Sequence, residues 1–282
     1  MTATLCVDVG GSRIRSAVLG TSDSLSSLRR KRVVSVRSLG WLNETLPQLV
    51  TPSNAAHIAE QIGEPYENIA VAVPGAARDG MFLRTDLGIP RDLAAAFTHA
   101  SGRQTVVIND AEAWAVGSVG FAALSGNALA LPAVVLILGT GVGCAIAVDD
   151  RRAVPVEIGG WPLPFRRLET AASRAIDEPW QAHEMVGHRF VEWVASDKPH
   201  WSFERVCREF TQRISALVED LVPELVRRHG EIRTLVIGGG NVDLIDARHL
   251  TVESDVVTWT RATIDIDPDL IPLIGLQRVW NR

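Results

Sequence analysis

The sequence predicts an α/β protein of two lobes. Two observations carry that expectation. The stretch TLCVDVGGSRIRSAVLG (residues 4–20) reads as strand, glycine turn, strand, and VVLILGTGVGCAIAVDD (residues 134–150) reads the same way. The copies lie about 130 residues apart, too far for a solenoid period, so duplication into two similar halves is the simpler inference. A chain of 282 residues with 46% hydrophobic content is long and apolar enough to bury a core of that size.

Each half then continues in α/β style. In the first, RVVSVRS supplies a further strand, NAAHIAEQIG a helix, IAVAVPG a buried strand, RDLAAAFTHASG a helix and TVVIND a strand, with AEAWAVGSVGFAAL following as helix. In the second, LETAASRAI, EMVGHRFVEWVAS and FERVCREFTQRISALVEDLVPELVRRHG read as helices, the last amphipathic and stopped by Gly230. TLVIGGGN is a strand running into glycines, and DPDLIPLIGLQRVW is a terminal helix suited to packing back on the first lobe. The lobes are therefore placed at 1–110, completed by the helix at 267–282, and at 111–266.

Charge and cysteines narrow the class of partner. A net charge of −5 creates no global positive field, so neither nucleic acid nor an anionic membrane is expected as a partner. The basic run Arg29, Arg30, Lys31, Arg32 leads straight into a strand and reads as a solvated sheet edge. Three well-separated cysteines fit inert core thiols in a reducing compartment. Neither a leader nor an apolar run of spanning length is read, so the expectation is a cytoplasmic protein.

The glycine turns are where chemistry enters. The lysines are Lys31 and Lys198, and neither follows glycine, so the P-loop pattern is absent. GTGVGC has Cys144 where the dinucleotide fingerprint needs its last glycine, and CAIAV continues as strand where that fingerprint opens a helix. What remains is a hairpin whose tip lacks side chains, so that backbone N–H groups can converge on an anion. Glycines that merely turn a hairpin with positive φ are the alternative for a single copy; a matched pair, with Ser12 and Thr140 at the tips, favours two grips on one polyphosphate. Asp8, inside an apolar strand before Gly10 and Gly11, must be solvated, paired or close to a cation, and Mg²⁺ held through water fits.

Taken together, these motifs resemble the ROK family of sugar kinases within the actin and hexokinase superfamily. VDVGGSRIRSAVL is similar to its first phosphate motif, LGTGVGCAI to its second, VIND to its catalytic strand and VIGGGN to its adenosine motif; EIGG (157–160) resembles its Glu-Ile-Gly-His and LETAASRAI (168–176) its Leu-Glu-Thr-x-x-Ser stretch. The resemblance implies an actin-like, ribonuclease H-like fold with a central cleft. It implies ATP as phosphoryl donor, Mg²⁺, a small-molecule sugar as acceptor, and homodimers of the kind such proteins often form. Carried over by position, Asp110 matches the general base, Asn109 a sugar-hydroxyl ligand, and Glu157, Glu169, Asp86 and Gly75 further sugar-contacting positions. Gly10, Gly11, Ser12, Arg13, Gly139, Thr140, Gly141, Gly239 and Gly240 match nucleotide-contacting positions, with Asp8 at the metal. A helix cap is the structural alternative for Asn109 and Asp110, and it is compatible with catalysis.

The sequence also departs from the family pattern. Gly160 replaces the family histidine and WPLPFRR contains no cysteine, so no structural zinc is expected. The histidines of HEMVGH are five apart, where a helical zinc pair is normally four apart, so no metalloprotease site is read there. Loss of the histidine leaves the sugar open, and some zinc-lacking relatives use polyphosphate as donor. A non-catalytic sugar-binding regulator is the alternative of a different class. It is disfavoured because the first strand starts at about residue 4, with no preceding helix-turn-helix, and because Asp8 and Asp110 are both present.

Overall fold

The structure is a computed structural model. It describes residues 3–10, 13–37, 63–75, 77–78, 81–82, 92–156, 158, 162–163, 180–181, 186–250, 255–258 and 263–280. The chain divides into two compact units. One is Met1–Leu129 with Ala145–Val156 and Ile264–Arg282; the other is Ala130–Cys144 with Glu157–Thr263.

In the first unit, β1 (Ala3–Val9) and β2 (Arg13–Gly20) form an antiparallel hairpin, followed by a short helix α1 (Leu25–Leu28) and the edge strand β3 (Val34–Arg37). Next come β4 (Asn68–Val73), the two-residue strands β5 (Ala77–Arg78) and β6 (Met81–Phe82), helix α2 (Leu93–Ser101) and β7 (Thr105–Asn109). The sheet order is β3-β2-β1-β4-β7, with β1, β4 and β7 parallel. Helix α2 has the expected ends: Asp92 accepts from the Ala95 N–H at 2.8 Å, and Gly102 closes it at φ +66°.

Period-two alternation sorts the side chains of this sheet. Leu5, Val7, Val9, Ile69, Val71 and Val73 pack in one cluster with Leu93 and Phe97 of α2. The intervening residues Cys6, Ala70 and Ala72 are buried and small, and α6 (Leu270–Trp280) packs on β1, β2 and β4. That helix also lies against α3 (Asp110–Leu124). The α3–α6 crossing is very close: a Cβ on Gly117 would lie 1.8 Å from the Ile271 carbonyl oxygen, and one on Gly275 would lie 1.9 Å from that of Ala113. Only glycine permits this approach.

A second five-stranded sheet has the order β10-β9-β8-β13-β14, from β8 (Ala133–Leu138), β9 (Val142–Ala147), β10 (Ala153–Pro155), β13 (Thr234–Gly238) and β14 (Asp255–Thr258). Strands β8, β13 and β14 run parallel. Two-residue strands β11 (Pro162–Leu163) and β12 (Trp180–Gln181) pair with each other. Helix α4 runs His188–Asp197; Val186 is helical ahead of the extended Gly187 (φ −89°, ψ −165°), and the first two residues of the predicted helix, 184–185, lie outside the described residues. The long helix α5 (Phe203–His229) starts at the Ser202 cap and ends at Gly230, whose φ is +88°. Its buried residues Cys207, Phe210, Ile214, Leu217, Val218, Leu221 and Leu225 recur at helical spacing.

Cys6, Cys144 and Cys207 are free and buried. Burial pushes the Cys144 thiol up to about 12 and raises the Cys6 thiol as well, so neither forms an appreciable thiolate near neutrality. Native protein is therefore expected to resist iodoacetamide at both positions at mildly alkaline pH and to become reactive only on unfolding. Mass spectrometry of the alkylated peptides checks this, and rapid native modification of either thiol would contradict it.

Candidate active site

The first unit gathers its candidate residues at one edge of its sheet. Because β1, β4 and β7 are parallel, their carboxyl ends share an edge, and Gly10, Gly75 and Asp110 each lie just beyond one of them. Open α/β sheets hold ligands at such an edge. Asp8 pairs in register with Ala72, and Ala72 with Ile108. Asp8 is thus two strands, about 10 Å, across the sheet from the end of β7.

Asn109 is buried and commits its amide to this edge. Its Nδ2 donates to the Gly75 carbonyl at 2.7 Å, tying the chain after β4 to the end of β7. Its Oδ1 accepts from the Glu112 N–H at 3.1 Å, capping α3. The capping alternative is thus realised, and one N–H and one lone pair of the amide are left over. Asp110 is the first residue of α3, half-buried, with Oδ1 accepting from the Ala111 N–H at 2.8 Å.

At the β1–β2 turn the Gly10 N–H donates to the Arg13 carbonyl at 2.9 Å. A Cβ on Gly10 would meet that oxygen at 3.0 Å and Arg15 Nη1 at 3.3 Å. Arg13 itself is exposed. Asp8 is only 2% exposed and faces Arg15 across the hairpin; Arg15 Nη1 lies 3.0 Å from Asp8 Oδ2, and its Nε lies 2.7 Å from Asp269 Oδ1. Burial pushes the Asp8 carboxyl up, with Arg15 pulling it back. Burial disfavours the Arg15 charge, but the two carboxylates outweigh it and hold the guanidinium protonated. Neither Arg15 nor Asp269 is singled out by the sequence motifs; the signal available for Arg15 was its place opposite Asp8 in a tight hairpin.

In the second sheet, β8 and β9 are neighbours joined by Gly139, Thr140 and Gly141, with the Gly139 N–H donating to the Gly141 carbonyl at 3.0 Å. Thr140 and Gly141 are exposed, and a Cβ on Gly139, Gly141 or Gly240 would meet nothing within 4 Å. Among the turn glycines described here, Gly10, Gly139 and Gly141 lie outside the left-handed region, so positive φ is not what requires them. Gly239 differs: its φ is +99°, and a Cβ would lie 2.5 Å from the Leu138 carbonyl oxygen. Since β8 and β13 are parallel neighbours, this brings Gly239 and Gly240 beside the Gly139–Gly141 turn. Asn241 fastens the two, its N–H donating to Leu138 O and its Nδ2 to Gly139 O, both at 2.9 Å. Asn241 closes the VIGGGN motif, yet sequence reasoning assigned it no contact.

Gly11, Ser12, Asp86, Glu157 and Glu169 lie outside the described residues. Among the described residues, no group of three or more His, Cys, Asp or Glu is placed to hold a metal ion, and no helix is long and apolar enough to cross a membrane.

A protein-family model described as ROK family matches residues 4–154. No curated protein matches the sequence. Among solved structures, the chain resembles an inorganic polyphosphate/ATP-glucomannokinase from Arthrobacter sp. strain KM, at TM-score 0.64 and 17% identity over 100% of both chains. It also resembles a ROK family glucokinase from Streptomyces griseus in complex with glucose and AMPPNP, at TM-score 0.63 and 16% identity over 99% of this chain and 98% of that one. A ROK family transcriptional regulator, a homologue of the E. coli MLC protein, matches at TM-score 0.57 and 14% identity over 98% of this chain and 79% of that one. At these identities the likeness is one of fold: a mixed α/β architecture with two five-stranded sheets.

Proposed function

The chain belongs to the ROK family, and from that premise we propose that it is a cytoplasmic sugar kinase that transfers the γ-phosphoryl group of ATP to a hydroxyl of a hexose or hexose derivative. The observation that carries the reading is the position of Asp110. It is a half-buried carboxylate at the carboxyl edge of three parallel strands, on the same edge as the Gly10 turn.

In this reading Asp110 is the general base. As the bond from the γ-phosphorus to the bridging oxygen of ADP breaks and the sugar oxygen bonds to phosphorus, the hydroxyl proton passes to Asp110. Such a transition state is loose, so the protein mainly aligns donor and acceptor. Asn109, held by Gly75 and the α3 N-terminus, orients the end of β7 and offers its remaining amide valences to a sugar hydroxyl. Glu157, Glu169 and Asp86 complete the sugar contacts as hydroxyl acceptors. At the Gly10–Arg13 and Gly139–Gly141 turns the proposed phosphate donors are backbone N–H groups other than those of Gly10 and Gly139, which donate within their own turns, and Gly239 and Gly240 are proposed to contact the nucleotide. The bareness of the second turn supports this role there, because Gly139 and Gly141 face open space and are not forced into glycine by φ.

Asp8 suits Mg²⁺ held through water. It is a hard oxygen donor, and the Asp8–Arg15–Asp269 cluster sets two carboxylates against one guanidinium, leaving it open to a further positive charge. When bound, the ion would neutralise charge on the phosphates. The regulator likeness is the competing reading, and polyphosphate is the competing donor.

A coupled ADP-release assay over hexoses and amino sugars, with a parallel polyphosphate arm read by sugar-phosphate formation, tests the proposal. Turnover with ATP on at least one sugar is the expected result. Sugar binding without turnover from either donor would favour the regulator.

A further inference from the structure

We propose that Asp269 is a positioning residue that keeps Asp8 available to the cation, acting through Arg15. The proposal rests on the reading of Asp8 as the Mg²⁺ contact. Left alone with Arg15, a buried aspartate would form a closed neutral pair with little to offer a metal. The structure does not leave it alone. Arg15 presents different nitrogens of one rigid planar group to two acids, Nη1 to Asp8 at 3.0 Å and Nε to Asp269 at 2.7 Å. The single positive charge is therefore shared, and the cluster retains a formal charge of about −1.

The sharing is built into the fold. Asp8 and Arg15 are direct cross-strand partners, so the hairpin register fixes that contact. Asp269 immediately precedes α6, and α6 is held in place by its backbone-to-backbone crossing with α3 at Gly275 and Gly117. Arg15 is mostly buried, with 18% of its side chain exposed, so solvent does little to dilute the competition between its partners. Taking Asp269 away hands the whole guanidinium charge to Asp8; taking Arg15 away strips Asp8 of its competitor. The two changes should move cation affinity in opposite directions, which a purely architectural role would not do.

The test is Mn²⁺ binding to the full chain in the presence of ADP, read by the loss of the free-ion EPR signal, with metal-free ADP binding measured alongside. Asp269→Asn is expected to weaken Mn²⁺ about fivefold with metal-free ADP affinity unchanged, Asp269→Glu to restore it to within about twofold, and Arg15→Gln to tighten it about fivefold. Unchanged Mn²⁺ affinity in Asp269→Asn, or unchanged or weaker affinity in folded Arg15→Gln, overturns the proposal while leaving Asp8 as the metal contact. Should Asp269→Asn not fold, Arg15→Gln and Asp269→Glu decide the question by the same readout. Wild-type affinity in Asp8→Asn overturns the reading of Asp8 itself.

Discussion

Replacing Asp110 by asparagine is expected to lower kcat about a thousandfold, or about 4 kcal/mol of transition-state stabilisation, with sugar binding changed by less than about threefold. The substitution is nearly isosteric. Its side-chain oxygen can still accept from the Ala111 N–H, now at 2.8 Å, and the Asn109 cap on Glu112 is untouched. What disappears is the charge that receives the hydroxyl proton. The cost to α3 is one favourable carboxylate at a helix N-terminus, on the order of 0.5 kcal/mol, so the variant should remain folded. Steady-state kinetics with direct titration of sugar separates the two effects. Wild-type turnover in a correctly folded variant would remove Asp110 from the role of base.

Gly275→Ala is expected to destabilise the protein by about 3 kcal/mol or more, enough to compromise a domain of ordinary stability. The new methyl carbon would lie 1.9 Å from the Ala113 carbonyl oxygen and 2.8 Å from the Gly117 N, and both are backbone atoms of a buried helix. No rotamer relieves such a contact, so the helices must separate and expose what they bury. Gly102→Ala is the control: its φ is +66° but a Cβ there meets nothing within 4 Å, so the cost should stay near 1 kcal/mol. Urea denaturation of both variants gives the comparison, and a Gly275→Ala protein within about 1 kcal/mol of wild type would mean that the crossing is looser than described. Because α3 begins at Asp110 and α6 just after Asp269, the same change is also expected to lower activity in whatever fraction folds.

Much of the candidate site was legible from local pattern. Both strand, glycine turn, strand units stand out because β-branched runs change abruptly to glycine. The end of β7 was legible as a strand leading into a helix, including the capping geometry of Asn109, since an Asn with the right backbone reaches the N–H three residues on whatever surrounds it. The stop of α5 at Gly230 follows from the same kind of local rule. The break at Gly187 was less accessible, because hydrophobic spacing continues across it from Val186 into α4 and only the backbone angles there interrupt the helix.

The sequence by itself determined the α/β class, the glycine turns and the strand ends, because propensity, period-two burial and capping act over a few residues. Only the tertiary structure decided which charges meet. Arg15 opposes Asp8 because the hairpin pairs in one register and not its neighbour, and Asp269 joins them because α6 returns to the sheet and is admitted by two glycines. Asn241 reaches Gly139 for a similar reason, the parallel pairing of β8 with β13. Electrostatic energy depends on separation in space, and chain order does not carry that distance until the strands have paired and the helices have packed.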